Sequence, residues 1–337
     1  MTYALMKNPA HTRVSYQDTD TLATNELAVL INAEEIKTED IGGLTYILFN
    51  RTAPLSADEI TTISRMSFVY AIFQLQGDML KPITIAADYY IDPELSGILK
   101  YQGKTNELFT RLMLNITISH IKNPTEILNI LDPLAGKGTT LFEALMQGHN
   151  AYGVEVDDKV VHESAVYLKK YLETAKYKHE NHTAKISGQT AMGKFTAVRN
   201  QISISRTKEE QKNARQFEII AGDTRNVAAF YKKNYFHAIV ADLPYGVQHG
   251  SKVKKQKPQS GTITRNALGL ISEAMDGWVR VLKPGGTIAL AWNLFLITRN
   301  EMVELLEKNG FTLPELPDFS HRVDQAIDRD FIVGVKA

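Results

Sequence analysis

Residues 127–157, ILNILDPLAGKGTTLFEALMQGHNAYGVEVD, restrict the fold more than any other stretch of the chain. They predict a buried strand, a tight glycine-bearing turn, a helix, and a second strand ending in an acid. The apolar run Ile127, Leu128, Ile130 and Leu131 stops at Asp132. Ala135-Gly136-Lys137-Gly138 then lets the backbone turn sharply and approach a ligand, because glycine carries no Cβ to block it. Thr139 or Thr140 is placed to cap a helix whose apolar face carries Leu141, Phe142 and Leu145, and Gly148 ends it. Tyr152-Gly153-Val154 leads to Glu155. An acid about 20 residues after the glycine turn, closing the next strand, marks a nucleoside-binding α/β unit, since its carboxylate can accept both ribose hydroxyls.

Three ligand classes compete for this turn. A P-loop needs Ser or Thr after its lysine, but Lys137 is followed by Gly138, and position 131 is leucine, so that class is excluded. A dinucleotide turn needs a third glycine where Leu141 stands, and it usually keeps the Asp132-Pro133 position apolar. S-adenosylmethionine sites place an acid at the end of the first strand, near the methionine ammonium, and Asp132 meets that need. An ordinary βαβ turn with incidental glycines is the plainer alternative.

The rest of the chain bears on the choice. Its 337 residues can bury a large core and form two domains. No apolar run reaches the length of a membrane span, and the first residues, MTYALMKNPAHTR, lack a signal-peptide core. The absence of cysteine excludes disulfides, thiolate zinc sites and a cysteine nucleophile, and it points to a cytoplasmic setting. The 38 basic and 38 acidic residues balance, so any attraction to nucleic acid must come from local patches.

Residues 1–87 read as a small α+β region, with a helical pattern at 26–31, a strand at 44–49, a helix capped by Ser56 or Asp58 and a strand at 68–75. Residues 88–121 form a linker and an amphipathic helix carrying Leu108, Leu112 and Ile116, with Thr105 or Asn106 as its N-cap. Residues 122–337 alternate strands and helices, which predicts a mostly parallel, doubly wound sheet. Residues 176–215 interrupt the rhythm with many lysines and arginines and little apolar periodicity, as either a flexible insertion or a basic arm for phosphates. Strands at 217–221, 235–241 and 287–292 and helices at 267–282 and 299–309 follow, with a turn at 283–286. Segments 311–319 and 331–335 complete the sheet as an antiparallel hairpin.

The strand at 235–241 runs into Asp242-Leu243-Pro244-Tyr245-Gly246, where open α/β sheets place their ligands. These residue types suit one task. An exocyclic base amine is a poor nucleophile because its lone pair is delocalised into the ring. Acceptors from Asp242 and a nearby carbonyl hold the amine hydrogens in the geometry that attacks a sulfonium methyl, and Tyr245 stacks on an extracted base. A strand-ending turn in which Pro244 and Gly246 serve geometry alone is the bland alternative. Downstream, the loop at 249–265 holds Lys252, Lys254, Lys255, Lys257 and Arg265 without an acid and is a candidate phosphate contact.

Taken in order, DPLAGKGTT, GVEVD, GD and DLPYG resemble the S-adenosylmethionine-dependent methyltransferases that modify exocyclic amines of nucleic-acid bases. The DLPYG form followed by GSK is most similar to the tRNA guanine-N2 methyltransferases related to THUMP-domain enzymes, and ILKYQGKTN resembles their pre-catalytic segment. The resemblance covers roughly residues 88–337 and implies a Rossmann-like methyltransferase fold with S-adenosylmethionine as cofactor and RNA, tRNA above all, as partner. It implies that Thr105 and Asn106 help cover the methionine moiety. Asp132, Ala135, Gly136, Gly138 and Thr139 would then line the methionine end, Glu155 and Val156 the ribose side, and Asp223 and Thr224 the adenine. Asp242, Pro244 and Tyr245 would hold the target base, with Asp242 also near the cofactor. Two departures stand out. The commoner motif has proline where Leu243 stands, and residues 1–87 are short for the N-terminal module plus THUMP domain of the longer relatives; residues 20–75 resemble only the module before THUMP. Adenine-N6 methylation of DNA or RNA uses the same motifs. A nicotinamide-dependent oxidoreductase and a catalytically inactive nucleic-acid-binding protein are the alternatives of other classes.

Overall fold

The computed structural model describes residues 1–8, 18–85, 87–97, 106–190, 192–207, 209–245 and 267–337. Near the N-terminus, β1 (Thr2–Lys7), α1 (Asp18–Leu30), β2 (Glu34–Ile41), β3 (Leu44–Asn50), α2 (Ala57–Ser64), β4 (Val69–Gln76) and β5 (Met79–Ile83) follow one another. The strands make a five-stranded sheet in the order β2-β3-β1-β4-β5, antiparallel throughout. Alternation places Tyr3 and Leu5 of β1, Ile47 and Phe49 of β3, and Ile72 of β4 against Leu22, Ala23 and Leu27 of α1. Ser56 caps α2 in a reciprocal capping box with Glu59, as the local sequence predicts. The strands β1, β2 and β5 had no sequence signal; β2, for example, is EEIKTEDI and is polar on both faces.

Two linking helices, α3 (Glu94–Gly97) and α4 (Glu107–Ser119), lead into the second sheet. α1 meets α4 through the buried Glu26, whose carboxylate accepts the Ser67 N–H at 3.1 Å and the Asn115 Nδ2–H at 2.8 Å. Burial pushes the Glu26 carboxyl above its ordinary range, against the pull of those hydrogen bonds.

The second sheet contains β6 (Asn129–Asp132), β7 (Asn150–Glu155), β8 (Lys178–Thr190), β9 (Gly193–Ser205), β10 (Arg215–Ala221), β11 (Phe236–Asp242), β12 (Leu282–Asn293), β13 (Phe311–Thr312), β14 (His321–Arg322) and β15 (Asp328–Lys336). The helices α5 (Thr139–Met146), α6 (Asp158–Thr174), α7 (Val227–Phe230), α8 (Ala267–Val281) and α9 (Arg299–Lys308) connect them. The order is β13-β15-β12-β11-β6-β7-β10-β9-β8, with β14 paired to β15. β12, β11, β6, β7 and β10 are parallel. This is a doubly wound, Rossmann-like α/β fold. The winding direction reverses between β6 and β11, which pair at Ile130↔Ala238 and Leu131↔Ile239, so the carboxyl ends of these two strands flank the switch-point crevice. No helix among the described residues is long and apolar enough to cross a membrane.

Three sequence expectations change here. The basic stretch at 176–215 is not a flexible insertion, one of its two readings from sequence. It is mostly the long hairpin β8–β9, antiparallel to β10 through β9. Its apolar pattern is faint because only the base of β9 is buried, at Ala197, Ile202 and Ile204, while β8 is a polar edge strand of the kind that resists edge pairing. The turn expected at 283–286 lies inside β12, where Gly285 (φ +72°) takes up a shift in register against β11. The strand expected at 311–319 is only the two residues of β13, since Pro314 and Pro317 cannot donate to a ladder.

One glycine fixes how closely the turn after β6 sits on β7. A Cβ at Gly153 would lie 2.7 Å from Leu141 Cδ1 and 2.8 Å from Ala135 Cβ. Leu141 can rotate away, but Ala135 cannot without moving the backbone that donates its N–H to Val154 O at 3.0 Å. Gly153→Ala is therefore expected to lose about 2 kcal/mol of stability through overpacking. Urea denaturation reads this directly, and an unchanged midpoint would show that the turn yields freely.

Candidate active site

β6 ends in Asp132, and the chain turns through Gly136 (φ +49°) and Gly138 (φ +91°) into α5. The helix begins at Thr139, and its N-cap is Gly138 in the left-handed region, with no side-chain cap bond. The threonine cap expected from sequence is thus replaced by a glycine, because only left-handed backbone closes so tight a turn. Thr139 and Thr140 are both buried inside the helix. The Thr140 hydroxyl serves Asp132 instead, which also accepts the Leu134 N–H at 3.0 Å.

Asp132 is buried and has no ion pair among the described residues. Burial pushes its carboxyl up to about 7, the negative charges of Asp242 and Glu155 add to this, and the two hydrogen bonds oppose it. A buried acid between two other acids fits a cationic ligand group, which would relieve all three charges.

Glu155 closes β7. Its carboxylate accepts the Gly136 N–H at 3.0 Å and the Asp157 N–H at 2.9 Å, which ties the glycine turn to the second strand. A carboxylate offers about four acceptor sites, so two remain for a diol. Beside it Val156 is 55% exposed, a flat apolar surface next to those acceptors.

The third strand end is more occupied than the sequence implied. Asp223 caps a single 3-10 turn through the Arg225 N–H at 2.9 Å, and the Arg225 guanidinium holds both its oxygens, with Nη2–Oδ2 at 2.6 Å. The hydrogen bonds and charge of Arg225 outweigh desolvation and hold the Asp223 carboxyl below its ordinary range. Thr224 is buried, and its hydroxyl accepts the Trp278 indole N–H at 3.0 Å. Both side chains therefore have structural partners, and an adenine amine would have to share Asp223 with Arg225.

β11 delivers Asp242 beside Asp132 of the neighbouring β6, in register with Ala291 of β12. Leu243 is buried and its N–H donates to Ala291 O at 2.9 Å, a rung that proline could not make. The departure from the commoner motif thus extends the ladder by one bond and leaves Asp242 and Tyr245 in place. The Tyr245 hydroxyl donates to Asp242 Oδ1. Burial and the Asp242 charge keep the phenol protonated by pushing its pKa well above the ordinary value.

Sequence reasoning missed Arg329. It is buried at the start of β15, with its guanidinium 5.0 Å from the Tyr245 ring centroid and 4.5 Å from that of Phe109. No motif marks residues 320–330, and only the pairing Asn293↔Arg329 brings this arginine to the carboxyl edge of the sheet. Phe109 lies in the first turn of α4, which therefore packs against Arg329. Asn106 caps that helix by accepting the Leu108 N–H at 2.9 Å and the Phe109 N–H at 3.4 Å. Thr105, most of ILKYQGKTN, Gly246 and the lysine loop at 249–265 lie outside the described residues.

The chain therefore brings Asp132, Gly136, Glu155, Asp242 and Tyr245 together at the switch point, with Ala135, Gly138, Val156 and Pro244 next to them in the chain. The crevice offers a carboxylate for a cation, acceptors for a diol, and a second carboxylate braced by a tyrosine and an arginine. No curated protein sequence matches the chain. Among solved structures it is similar to TrmN from Thermus thermophilus, at 14% identity over 90% of this chain with a TM-score of 0.42. The chain spans only 59% of the length of that protein. It is also similar to a proposed RNA methyltransferase from Pyrococcus horikoshii (14% identity, 74% of this chain, 91% of that one, TM-score 0.39). A third likeness is to the ribosomal protein L11 methylase of Lactobacillus delbrueckii subsp. bulgaricus (9% identity, 68% of this chain, 80% of that one, TM-score 0.38). These are distant likenesses, and they carry no weight for the choice of substrate. The profile of the RMKL-like methyltransferase domain family, UPF0020, matches residues 105–285, from just before α4 to the glycines of β12. The match covers more than half of the chain and includes every acid of the crevice, and the chain belongs to this methyltransferase family.

Proposed function

We propose that this protein transfers a methyl group from S-adenosylmethionine to an exocyclic base amine of RNA, with guanine N2 in tRNA as the first target. The observation that carries the reading is the meeting of two half-sites at the switch point. Asp132 of β6 and Asp242 of β11 end neighbouring strands, and Tyr245 is hydrogen-bonded to Asp242. When bound, S-adenosylmethionine supplies an electrophilic methyl on a sulfonium. Asp132 would hold the ammonium of its methionine end, the backbone of 135–138 would line that end, and Glu155 would accept the ribose hydroxyls. Val156 would lie on the ribose side, and Asp223 would share its carboxylate between the adenine and Arg225. Asp242 holds the target amine hydrogens and accepts the proton that the alkylated nitrogen must lose. Tyr245 carries the target base, and Arg329 fixes the tyrosine ring from behind. Most of the rate comes from holding amine and methyl close and in line. The DLPYG form followed by GSK supports RNA over other amine substrates, since the order of motifs alone serves DNA amines as well. Residues 1–87 are proposed to serve RNA recognition, 88–121 to cover the cofactor, and 122–337 to carry the chemistry.

Mass spectrometry of nucleosides from cells with and without the gene tests this reading. Loss of N2-methylguanosine is the expected result, and loss of N6-methyladenosine would change the base while keeping the chemistry. If no methylated nucleoside disappears and calorimetry detects S-adenosylhomocysteine binding no better than NAD binding, the methyl-transfer reading fails.

A further inference from the structure

The loop after β12 exposes two large apolar side chains at the carboxyl edge of the sheet, Phe295 (58% exposed) and Leu296 (52%). Elsewhere in this loop the apolar residue Ile297 is buried, and the loop itself is firmly held. Asn293 is buried and knots it to the segment before β15. Its Nδ2–H donates to Ala326 O at 2.9 Å, and its Oδ1 accepts the Phe295 N–H at 3.2 Å and the Asp328 N–H at 3.1 Å. The Leu294 N–H adds a bond to Asp328 O at 2.7 Å. Phe295 is therefore an exposed aromatic on a rigid support, not the tip of a loose loop.

The exposed Arg322 of β14 lies with its guanidinium 4.9 Å from the centroid of the Phe295 ring. β14 pairs with β15 at Arg322↔Asp328 and His321↔Arg329, so this aromatic–arginine pair is one strand position from Arg329. Arg329 in turn lies against Tyr245. The His321 ring lies 4.9 Å from Phe109, the ring that Arg329 also covers. His321 and Arg329 share one face of the β14–β15 pair with Phe109 and Tyr245, and Arg322 with Phe295 stands on the other face of the same carboxyl edge. With strands about 4.8 Å apart and a rise of about 3.4 Å per residue, Phe295 stands roughly 10–15 Å from Asp242, the reach of two or three nucleotides.

An aromatic face with a guanidinium beside it is the element on which unpaired bases stack, whatever their sequence, while the guanidinium reaches a neighbouring phosphate. Asp324 in the adjoining turn and Asp328 opposite Arg322 on β15 limit the net positive charge, which favours stacking over bulk attraction as the source of affinity. We infer that Phe295 and Arg322 form a stacking platform for an RNA nucleotide flanking the target base, so that the strand is held at a second point while the target base is extracted onto Tyr245. The inference rests on the proposed action on RNA.

Binding of bulk deacylated tRNA, followed by fluorescence anisotropy, tests it together with the tRNA KM. Phe295→Ala is expected to raise the Kd and KM about tenfold, the usual cost of removing one stacking ring. Arg322→Ala is expected to raise the Kd and to flatten its dependence on salt. Calorimetric binding of S-adenosylhomocysteine should be the same in both variants, which shows that the fold is kept. Phe295→Trp should retain affinity and lose fluorescence when tRNA is added, against a background of only Trp278 and Trp292, both buried. If the unaltered protein binds tRNA but Phe295→Ala binds it equally well and Phe295→Trp is not quenched, the platform is overturned alone. If the unaltered protein binds no RNA, the RNA reading falls and the platform falls with it.

Discussion

Asp242→Ala is expected to lower methyl transfer to tRNA by about a thousandfold while leaving the affinity for S-adenosylhomocysteine within a few-fold. The base amine gives little of its lone pair to the methyl until its hydrogens are held and its nitrogen becomes pyramidal, and positioned acid–base groups of this kind contribute about 10²–10⁴-fold. Asp242 is the acceptor at the switch-point crevice whose geometry the chain controls from three sides. The β11–β12 ladder fixes its backbone, the Tyr245 hydroxyl holds Oδ1, and Arg329 packs against that tyrosine. Asp242→Asn is a sharper variant, since it keeps the shape but replaces an acceptor by an amide that presents hydrogens to the hydrogens of the substrate. Both variants should lose activity alike. Cofactor affinity is expected to persist because Asp242 acts on Asp132 as a like charge, and its removal relieves a repulsion. Single-turnover transfer of a radiolabelled methyl group would measure the loss, and turnover within tenfold of the unaltered protein would remove Asp242 from the chemistry.

Much of this crevice was legible because the sequence places each acid directly after an apolar run, and runs that end in acids become strand ends in an open α/β sheet. Asp132, Glu155 and Asp242 could be read in that way. The short-range roles were harder. Whether Asp223 faced a ligand or Arg225 depended on a guanidinium two residues away, and whether Thr224 was free depended on Trp278 from a distant helix. The hairpin β8–β9 was hidden because an edge strand with solvent on its faces loses the alternation that reveals strands. Arg329, Arg322 and Phe295 were illegible for another reason. Their proximity to Tyr245 comes from inserting β15 between β12 and β13, a long-range pairing that leaves no local pattern. The N-terminal sheet was half visible, since β3 and β4 are apolar runs whereas β1 lacks turn signals and β2 lacks an apolar face.

Cofactor binding is expected to strengthen as pH rises from 5 to 7 and then to level off. In the ligand-free protein burial and two neighbouring acids hold the Asp132 carboxyl at about 7, against an ordinary 3.8. The sign follows from which state binds the proton more tightly. The unfolded chain releases this proton near its ordinary value and the folded chain only near 7, so the folded state gains from Asp132 below that ordinary value and loses the gain as pH rises to 7. The ligand-free fold should therefore be more stable at pH 5 than at pH 7 on account of this group. A methionine ammonium beside Asp132 reverses the preference, since it pairs with the ionised carboxylate and draws its pKa down. Below 7 the cation must displace a proton in order to bind, and each pH unit costs up to about tenfold in affinity. A hundredfold gain in S-adenosylmethionine affinity between pH 5 and 7 is the limiting expectation, with close to one proton released per binding event at pH 6. Calorimetry in two buffers of different ionisation enthalpy counts that proton. Asp132→Asn should bind more weakly and show neither the slope nor the proton release. A variant that kept both would place the titration in another group and would move the ammonium away from the end of β6.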